Sequence, residues 1–294
     1  MGILKVAAIQ MRSRGNREEN IIAADTLVRK AAADHSKIIL LPELFETNYF
    51  CQEQLEENFK LAVPATKKLA VQHFSKLARE LKVVLPVSFF ERDGNAFYNS
   101  LAILDADGQM LGIYRKSHIP DGPGYQEKYY FNPGDTGFQV FDTAYGRIGC
   151  GICWDQWFPE LVRILVLKGA EILFYPTAIG SEPLNPTYCS RAHWQTCIQG
   201  HAAANMVPIV VSNRVGEEQQ IKFYGSSFLA DEHGQIVKQA DTETEGILSA
   251  EFDFTQLALK RRAWGLFRDR RPDLYRTILS LDGSTEQGGR CNHV

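Results

Sequence analysis

The sequence predicts an α/β protein: two mixed sheets packed face to face between outer helices, a four-layer α-β-β-α sandwich. Three observations lead there. Apolar runs of strand length alternate with helical stretches in both halves of the chain. Hairpin signals stand between these β-α units, which makes the sheets mixed rather than purely parallel. No linker-like stretch interrupts the chain, so residues 1–283 are expected to form one domain, with a C-terminal arm over about 254–283. The polar, Gly-rich residues 284–294 are expected to be a disordered tail.

The elements follow in order. Leu4 to Met11 alternates and is rich in β-formers, Asn16 to Asp34 has helical spacing, and Lys37 to Leu41 is a nearly continuous apolar run stopped by Pro42-Glu43. Together these make a β-α-β unit. The spacing predicts a helix over Pro64 to Leu81, then strands over Val83 to Phe90, Ala96 to Asp105 and Met110 to Arg115, with Asp-Gly-Asn and Asp-Ala-Asp-Gly as turns. Ser117 to Gly137 is rich in Gly, Pro and Tyr and has no periodicity. Loops of that length inside compact domains are usually functional. The second half repeats the layout: strand Arg147 to Cys153, helix Phe158 to Lys168, and strand Glu171 to Pro176 running into Thr177-Ala178. A helix over Pro186 to Asn205 precedes strand Pro208 to Asn213, and Gln219 to Ala230 and Ile236 to Asp253 read as edge hairpins.

At 294 residues, with 45% hydrophobic and 23% charged residues, the chain has the balance of a water-soluble globular protein. Its 32 basic and 35 acidic residues include no basic run, which argues against a nucleic-acid partner. The first residues lack the pattern of a secretory signal, and no apolar stretch is long enough to span a membrane. Six cysteines, at 51, 150, 153, 189, 197 and 291, form neither a zinc pattern nor a disulfide scaffold, so reduced thiols in a cytoplasmic protein are expected. Cys150 and Cys153 are spaced as a redox pair, but they sit in a strand pattern rather than at a helix start.

Three reactive side chains fall at or near strand ends, where α/β sheets collect functional groups. Glu43 follows IILLP, Lys116 follows MLGIYR, and Cys153 closes RIGCGI. Gly149 and Gly151 let the backbone bend around Cys153, and the following helix can direct N–H groups toward the thiol. A carboxylate in an apolar wall holds its proton more tightly than one in water, which suits Glu43 to act as base toward a thiol. Lys116 beside such a pair would stabilise an oxyanion. Read singly, each residue also fits a structural role: a buried thiol, a helix cap, a solvated lysine. Glu127, in GPGYQEKYYFNPGD, is a candidate second carboxylate. His118 opens an alternative cysteine–histidine reading, without the local signature of such enzymes.

LLPELF, YRKSHIP and GCGICWDQWFPE, in that order, resemble the three motifs of the nitrilase superfamily, and the resemblance runs from AAIQM to FRDRRPDLY. It implies the α-β-β-α fold, Glu43, Lys116 and Cys153 as the catalytic set, Glu127 as the additional active-site glutamate, no metal or organic cofactor, and a homo-oligomer with Trp264 to Tyr275 as a subunit contact. DGPGYQEKYYFNPGDTGF is most similar to members that cleave a carbamoylated diamine, so the implied substrate is a small cationic ureido compound. Relatives acting on carbamoylated amino acids carry an Arg-Arg pair where this chain has Gln156-Trp157, which argues against an acidic substrate. Glu182 is a candidate partner for the substrate ammonium, with Tyr49, Tyr125, Trp154 and Thr177 as further binding residues. Other amidases, nitrilases or ureidopropionate-type hydrolases, and a catalytically silent scaffold, are the competing readings.

Overall fold

In a computed structural model that describes residues 2–284, the chain opens with β1 (Ile3–Gln10), α1 (Arg17–Ala33) and β2 (Ile38–Leu40). Asn16 starts α1 by accepting the Glu19 N–H on its side chain, as an N-cap should. The first half continues with α2 (Leu69–Leu81), β3 (Leu85–Asp93), β4 (Ala96–Leu104) and β5 (Met110–Arg115). α2 ends where Lys82 turns left-handed, with φ +54°. The second half holds β6 (Val140–Thr143), β7 (Gly146–Cys150), α3 (Pro159–Leu167), β8 (Ile172–Thr177), α4 (Arg191–Asn205) and β9 (Ile209–Asn213). It closes with β10 (Val215–Glu218), β11 (Ile221–Tyr224), β12 (Phe228–Ala230), β13 (Ile236–Gln239), β14 (Gly246–Asp253) and α5 (Phe254–Trp264).

Two sheets result. In the first, β1 lies between antiparallel β14 and parallel β2. β2 continues into the β3-β4-β5 meander through the parallel bridge Ile38–Val84, where Ile39 donates to Val84 at 3.0 Å and Val84 to Lys37 at 2.8 Å. The second sheet runs β13-β12-β9-β8-β7-β6, with β7, β8 and β9 parallel. β8 and β9 are buried along their whole length, as strands covered on both faces are. The sheets meet through β1 against β9 and β2 against β8. On the outer side of the first sheet, Val28 of α1 and Phe74 of α2 close one core with Ile39 and Val87. α3 and α4 pack together on the second sheet, burying Leu161, Leu165, Trp194 and Ile198. The expected four-layer α/β sandwich is present.

Residues 2–257 form one compact unit and residues 258–284 a second. Within the second, the end of α5 is followed by single turns of 3-10 helix at Pro272–Leu274 and Arg276–Leu279. Residues 285–294 of the expected tail lie outside the described residues. No described helix is long and apolar enough to cross a membrane.

Four expectations need correction. β7 stops at Cys150, and Cys153 begins a 3-10 turn over Cys153–Trp157. α4 starts at Arg191, because residues 182–188 are held in turns closed by Asn185 N–H to Glu182 and Tyr188 N–H to Asn185. The two expected edge hairpins are divided differently: β10 pairs with β11, β12 is interior between β9 and β13, and β14 crosses to the first sheet to pair with β1. β6 is an edge strand that the pattern did not announce. Its four residues are too few for alternation to register.

Gly134 shows how tightly the loop after β5 is seated. Its N–H donates to the Lys116 carbonyl at 2.8 Å, and a Cβ there would stand 2.1 Å from the Arg115 carbonyl oxygen. Gly134→Ala is expected to cost about 1–3 kcal/mol of unfolding free energy, as overpacking against backbone does, measured by urea denaturation; an unchanged midpoint would contradict this packing.

Candidate active site

Glu43, Lys116 and Cys153 meet beside the ends of β2, β5 and β7, all in the first unit. Glu43 stands three residues past the end of β2, and its N–H donates to the Thr177 carbonyl at 3.4 Å. Its side chain is fully buried. One carboxylate oxygen, Oε1, accepts from Lys116 Nζ at 2.9 Å and from Asn99 Nδ2 at 2.7 Å. The other, Oε2, is buried with no hydrogen-bond partner, an acceptor left open. Lys116 Nζ also donates to Glu127 Oε2 at 2.7 Å, and Tyr49 OH donates to Glu127 Oε1 at 2.8 Å. One ammonium thus lies between two buried carboxylates.

Electrostatics follow from that arrangement. Burial alone would strip the proton from Lys116, but Glu127 and Glu43 outweigh it and hold the ammonium's pKa well above its ordinary value. Two carboxylates share this one cation. Burial, against the pull of Lys116 and with the repulsion of Glu43, pushes Glu127 up to about 7. Burial pushes the Cys153 thiol well up, Glu43 adds to the rise, and Lys116 opposes it. The resting sulfur is a thiol with a carboxylate and a cation at hand, and it donates a long hydrogen bond to the Ala178 carbonyl at 3.8 Å.

The backbone is unusual on both sides. Cys153 has φ +41° and Leu44, next to Glu43, has φ +48°, left-handed values that cost a side-chain-bearing residue energy and cluster where function requires them. Buried Arg214 supports the second of these bends. It donates to the carbonyls of Glu43, Leu44 and Thr47 at 3.2, 2.6 and 2.9 Å, and pairs with Glu218 at 2.8 Å. Glu218 in turn accepts the Tyr49 N–H at 2.7 Å.

Cys153 opens into a cavity of about 460 Å³, a size suited to a small molecule. Of the expected site residues, Tyr125, Glu127, Trp154 and Glu182 line it with Cys153. Tyr125 ties its two walls together, accepting from Gly180 N at 3.0 Å and donating to the Ser181 carbonyl at 3.2 Å. Thr177 and Tyr49 are not on the cavity wall. The Thr177 hydroxyl faces Gln156 and the Tyr175 carbonyl, and Tyr49 stands behind Glu127. His118 does not reach toward the thiol: its Nδ1 lies 2.7 Å from Asp155 and its ring stacks on Phe158 at 3.6 Å. Cys150 and Cys153 are both free thiols.

Sequence reasoning missed Asn99, Arg214, Asp155 and the cavity-lining Asp121, Tyr188 and His193, while Trp157, noted there in place of an arginine, does line the cavity. Asn99 was discoverable as a polar residue in an apolar strand. Arg214 was not, since an arginine after a strand reads as solvated.

A sequence model described as carbon–nitrogen hydrolase matches residues 5–262. The chain is 56% identical over 287 residues to an N-carbamoylputrescine amidase of Arabidopsis thaliana, covering 95% of this chain and 96% of that protein. It is 52% identical over 283 residues to a citrullinase of Francisella tularensis, covering 95% and 99%. A crystal structure of a carbon–nitrogen hydrolase from Helicobacter pylori superimposes with a TM-score of 0.89 at 38% identity, covering 95% and 99%.

The raised Glu127 pKa makes a signed prediction. Between the ordinary 4.5 and about 7 the folded protein binds a proton that the unfolded chain releases, so this group's contribution to stability is present at low pH and lost as pH rises through about 7. Glu127→Gln keeps the neutral shape and cannot titrate. Its melting temperature relative to wild type should therefore rise between about pH 5 and about pH 8; a gap independent of pH would contradict the assignment.

Proposed function

We infer, since this chain belongs to the carbon–nitrogen hydrolase family, that it is a cysteine-dependent amidohydrolase that cleaves N-carbamoylputrescine to putrescine, carbon dioxide and ammonia. The observation that carries this is the juxtaposition of a cavity-facing thiol with the Glu43–Lys116–Glu127 cluster, in a cavity lined by Asp121 and Glu182 and by no described Lys or Arg. A cationic tail is matched by those carboxylates and by the faces of Trp154 and Tyr188, since ammonium groups are attracted to aromatic rings. Several plant relatives carry the name of this activity. The citrullinase relative favours a second substrate, but citrulline brings an α-carboxylate, and this wall offers it no Lys or Arg among the described residues.

In the proposed reaction Glu43 takes the Cys153 proton through its open Oε2 as sulfur attacks the ureido carbonyl carbon. Lys116 and the Trp154 backbone N–H hold the oxyanion. The carbon–nitrogen bond breaks with Glu43 returning the proton to the leaving nitrogen. Water activated by Glu43, with Glu127 keeping Lys116 in place, then hydrolyses the thioester-like intermediate, and the carbamate product breaks down to carbon dioxide and amine. No metal or organic cofactor takes part. Tyr125 and Glu182 hold the substrate tail, and Tyr49 and Thr177 act from behind the wall.

The same reading includes a homo-oligomer formed with a second copy of the chain in a reducing, cytoplasmic setting. In the C-terminal unit Trp264, Leu274, Ile278 and Leu279 are strongly exposed, from 63% to 85%, as expected of an arm that has a partner.

Ammonia release from N-carbamoylputrescine, citrulline, N-carbamoyl-β-alanine and simple amides tests the substrate. N-carbamoylputrescine should lead, and Cys153→Ser should lose turnover by about 10³-fold or more while remaining folded. Glu182→Gln should lower kcat/KM for the cationic substrate by about tenfold and leave uncharged amides unchanged, the loss of one charge-assisted hydrogen bond. Wild-type turnover in Cys153→Ser removes the nucleophile assignment; no activity on any substrate favours the scaffold reading.

A further inference from the structure

Asp155 lies fully buried two residues past Cys153, and it touches neither the thiol nor the ammonium. Its carboxylate receives four hydrogen bonds. Oδ2 accepts from Tyr114 OH at 2.8 Å and from Ile152 N at 2.9 Å. Oδ1 accepts from His118 N at 3.0 Å and lies 2.7 Å from His118 Nδ1, which must donate because a carboxylate only accepts. The donors are placed in a pattern. Tyr114 and His118 stand two residues before and two after Lys116; Ile152 and Asp155 itself flank Cys153.

We propose that Asp155 is a positioning residue, whose single carboxylate clamps the segment carrying Lys116 to the turn carrying Cys153 and so sets the distance between ammonium and sulfur. Three further observations support it. The Asp155 N–H donates to the Ile152 carbonyl at 3.0 Å while its side chain accepts the Ile152 N–H, so both backbone groups of Ile152 are held beside the left-handed Cys153. His118 is fixed by the stacked Phe158 ring, which leaves its Nδ1–H aimed at Asp155. A Cβ on Gly151 would come within 3.2 Å of the Asp155 Cβ, so the turn closes tightly around this side chain. A buried carboxylate that satisfies four donors can hold two chain segments in one geometry, because each lost bond leaves a donor unsatisfied. This inference rests on the functional reading in which Cys153 and Lys116 act together.

Asp155→Asn tests it, because the amide nitrogen turns a donor toward existing donors while the shape is kept. The expected result is a kcat lower by about 10²-fold with KM within about threefold, the loss that a misplacement of about 1 Å brings. A second readout separates positioning from stability: the pH dependence of iodoacetamide alkylation, followed on the Cys153 peptide by mass spectrometry. The groups facing this sulfur are Glu43, Lys116, Glu127, Tyr49, Tyr125 and Tyr224, and of these Lys116 is the cation that favours thiolate. A loosened clamp should shift the alkylation profile to higher pH. Tyr114→Phe removes one tie on the Lys116 side and should shift kcat and profile in the same direction by less; it decides the matter if Asp155→Asn does not fold. A lower melting temperature with unchanged kcat and alkylation profile in these variants overturns the proposal. Cys153→Ser and Lys116→Ala, measured alongside, tell the two failures apart: if both are inactive while the clamp variants behave as wild type, only the positioning role falls, and if either keeps full turnover, the functional reading falls.

Discussion

A single buried ammonium, Lys116, lies between Glu43 and Glu127, and the arrangement of the site depends on that shared charge. Bringing three ionisable groups out of water is costly unless each finds a partner, and breaking such a set leaves a charge stranded. The surrounding polar side chains answer this requirement. Asn99 supports Glu43 from one side, Tyr49 supports Glu127 from the other, and neither contact would be worth its burial without the charges it serves. With two carboxylates and one cation, a proton is held in the cluster near neutral pH, and Glu127 carries the mark of it. Glu43 keeps one oxygen free, which suits a group proposed to carry a proton between sulfur, leaving nitrogen and water.

The sandwich brings these groups together by ending three strands of two sheets at one place. β2 and β5 belong to the first sheet and β7 to the second, so the cluster sits where the two sheets meet and draws on both. Side chains that never reach the cavity maintain the alignment. Arg214 holds the bend after Glu43 through three carbonyl oxygens, Thr177 accepts the Glu43 N–H, and Asp155 is proposed to do the same for the turn at Cys153. Both bends carry a left-handed residue with a side chain, and beside each a buried charged group makes hydrogen bonds to the backbone as well as to side chains. The common device is a rigid scaffold beneath a reactive group.

Much of this was legible in the sequence. The β-α-β units, the main helices and the apolar strands follow from periodicity, because strands covered on both faces and amphipathic helices leave strong patterns. Glu43 was visible as a carboxylate closing an apolar run, and Cys153 as a thiol among glycines. Lys116 was not distinctive by itself and gained meaning only beside the other two. What the pattern could not supply was long-range pairing: that β14 crosses to β1, that Asn99 faces Glu43 across 56 residues, or that Arg214 reaches 171 residues back to the Glu43 carbonyl. Thr177 and Tyr49 illustrate the same limit, since a strand end or a nearby aromatic can face the cavity or the layer behind it. Sequence distance carries no information on that choice. Asp155 stands in GCGICWDQWFPE, but the partners that give it a role, Tyr114 and His118, lie in another part of the chain.

The central claim is that Cys153 forms a covalent bond to the ureido carbon during turnover. Rapid acid quenching of the enzyme with N-carbamoylputrescine, followed by peptide mass spectrometry, tests it most directly. The account predicts an acyl adduct confined to the peptide that carries Cys153, and the adduct's mass identifies whether ammonia or the diamine leaves first. An adduct on Cys197 instead, or turnover at the wild-type rate by Cys153→Ser, would contradict it.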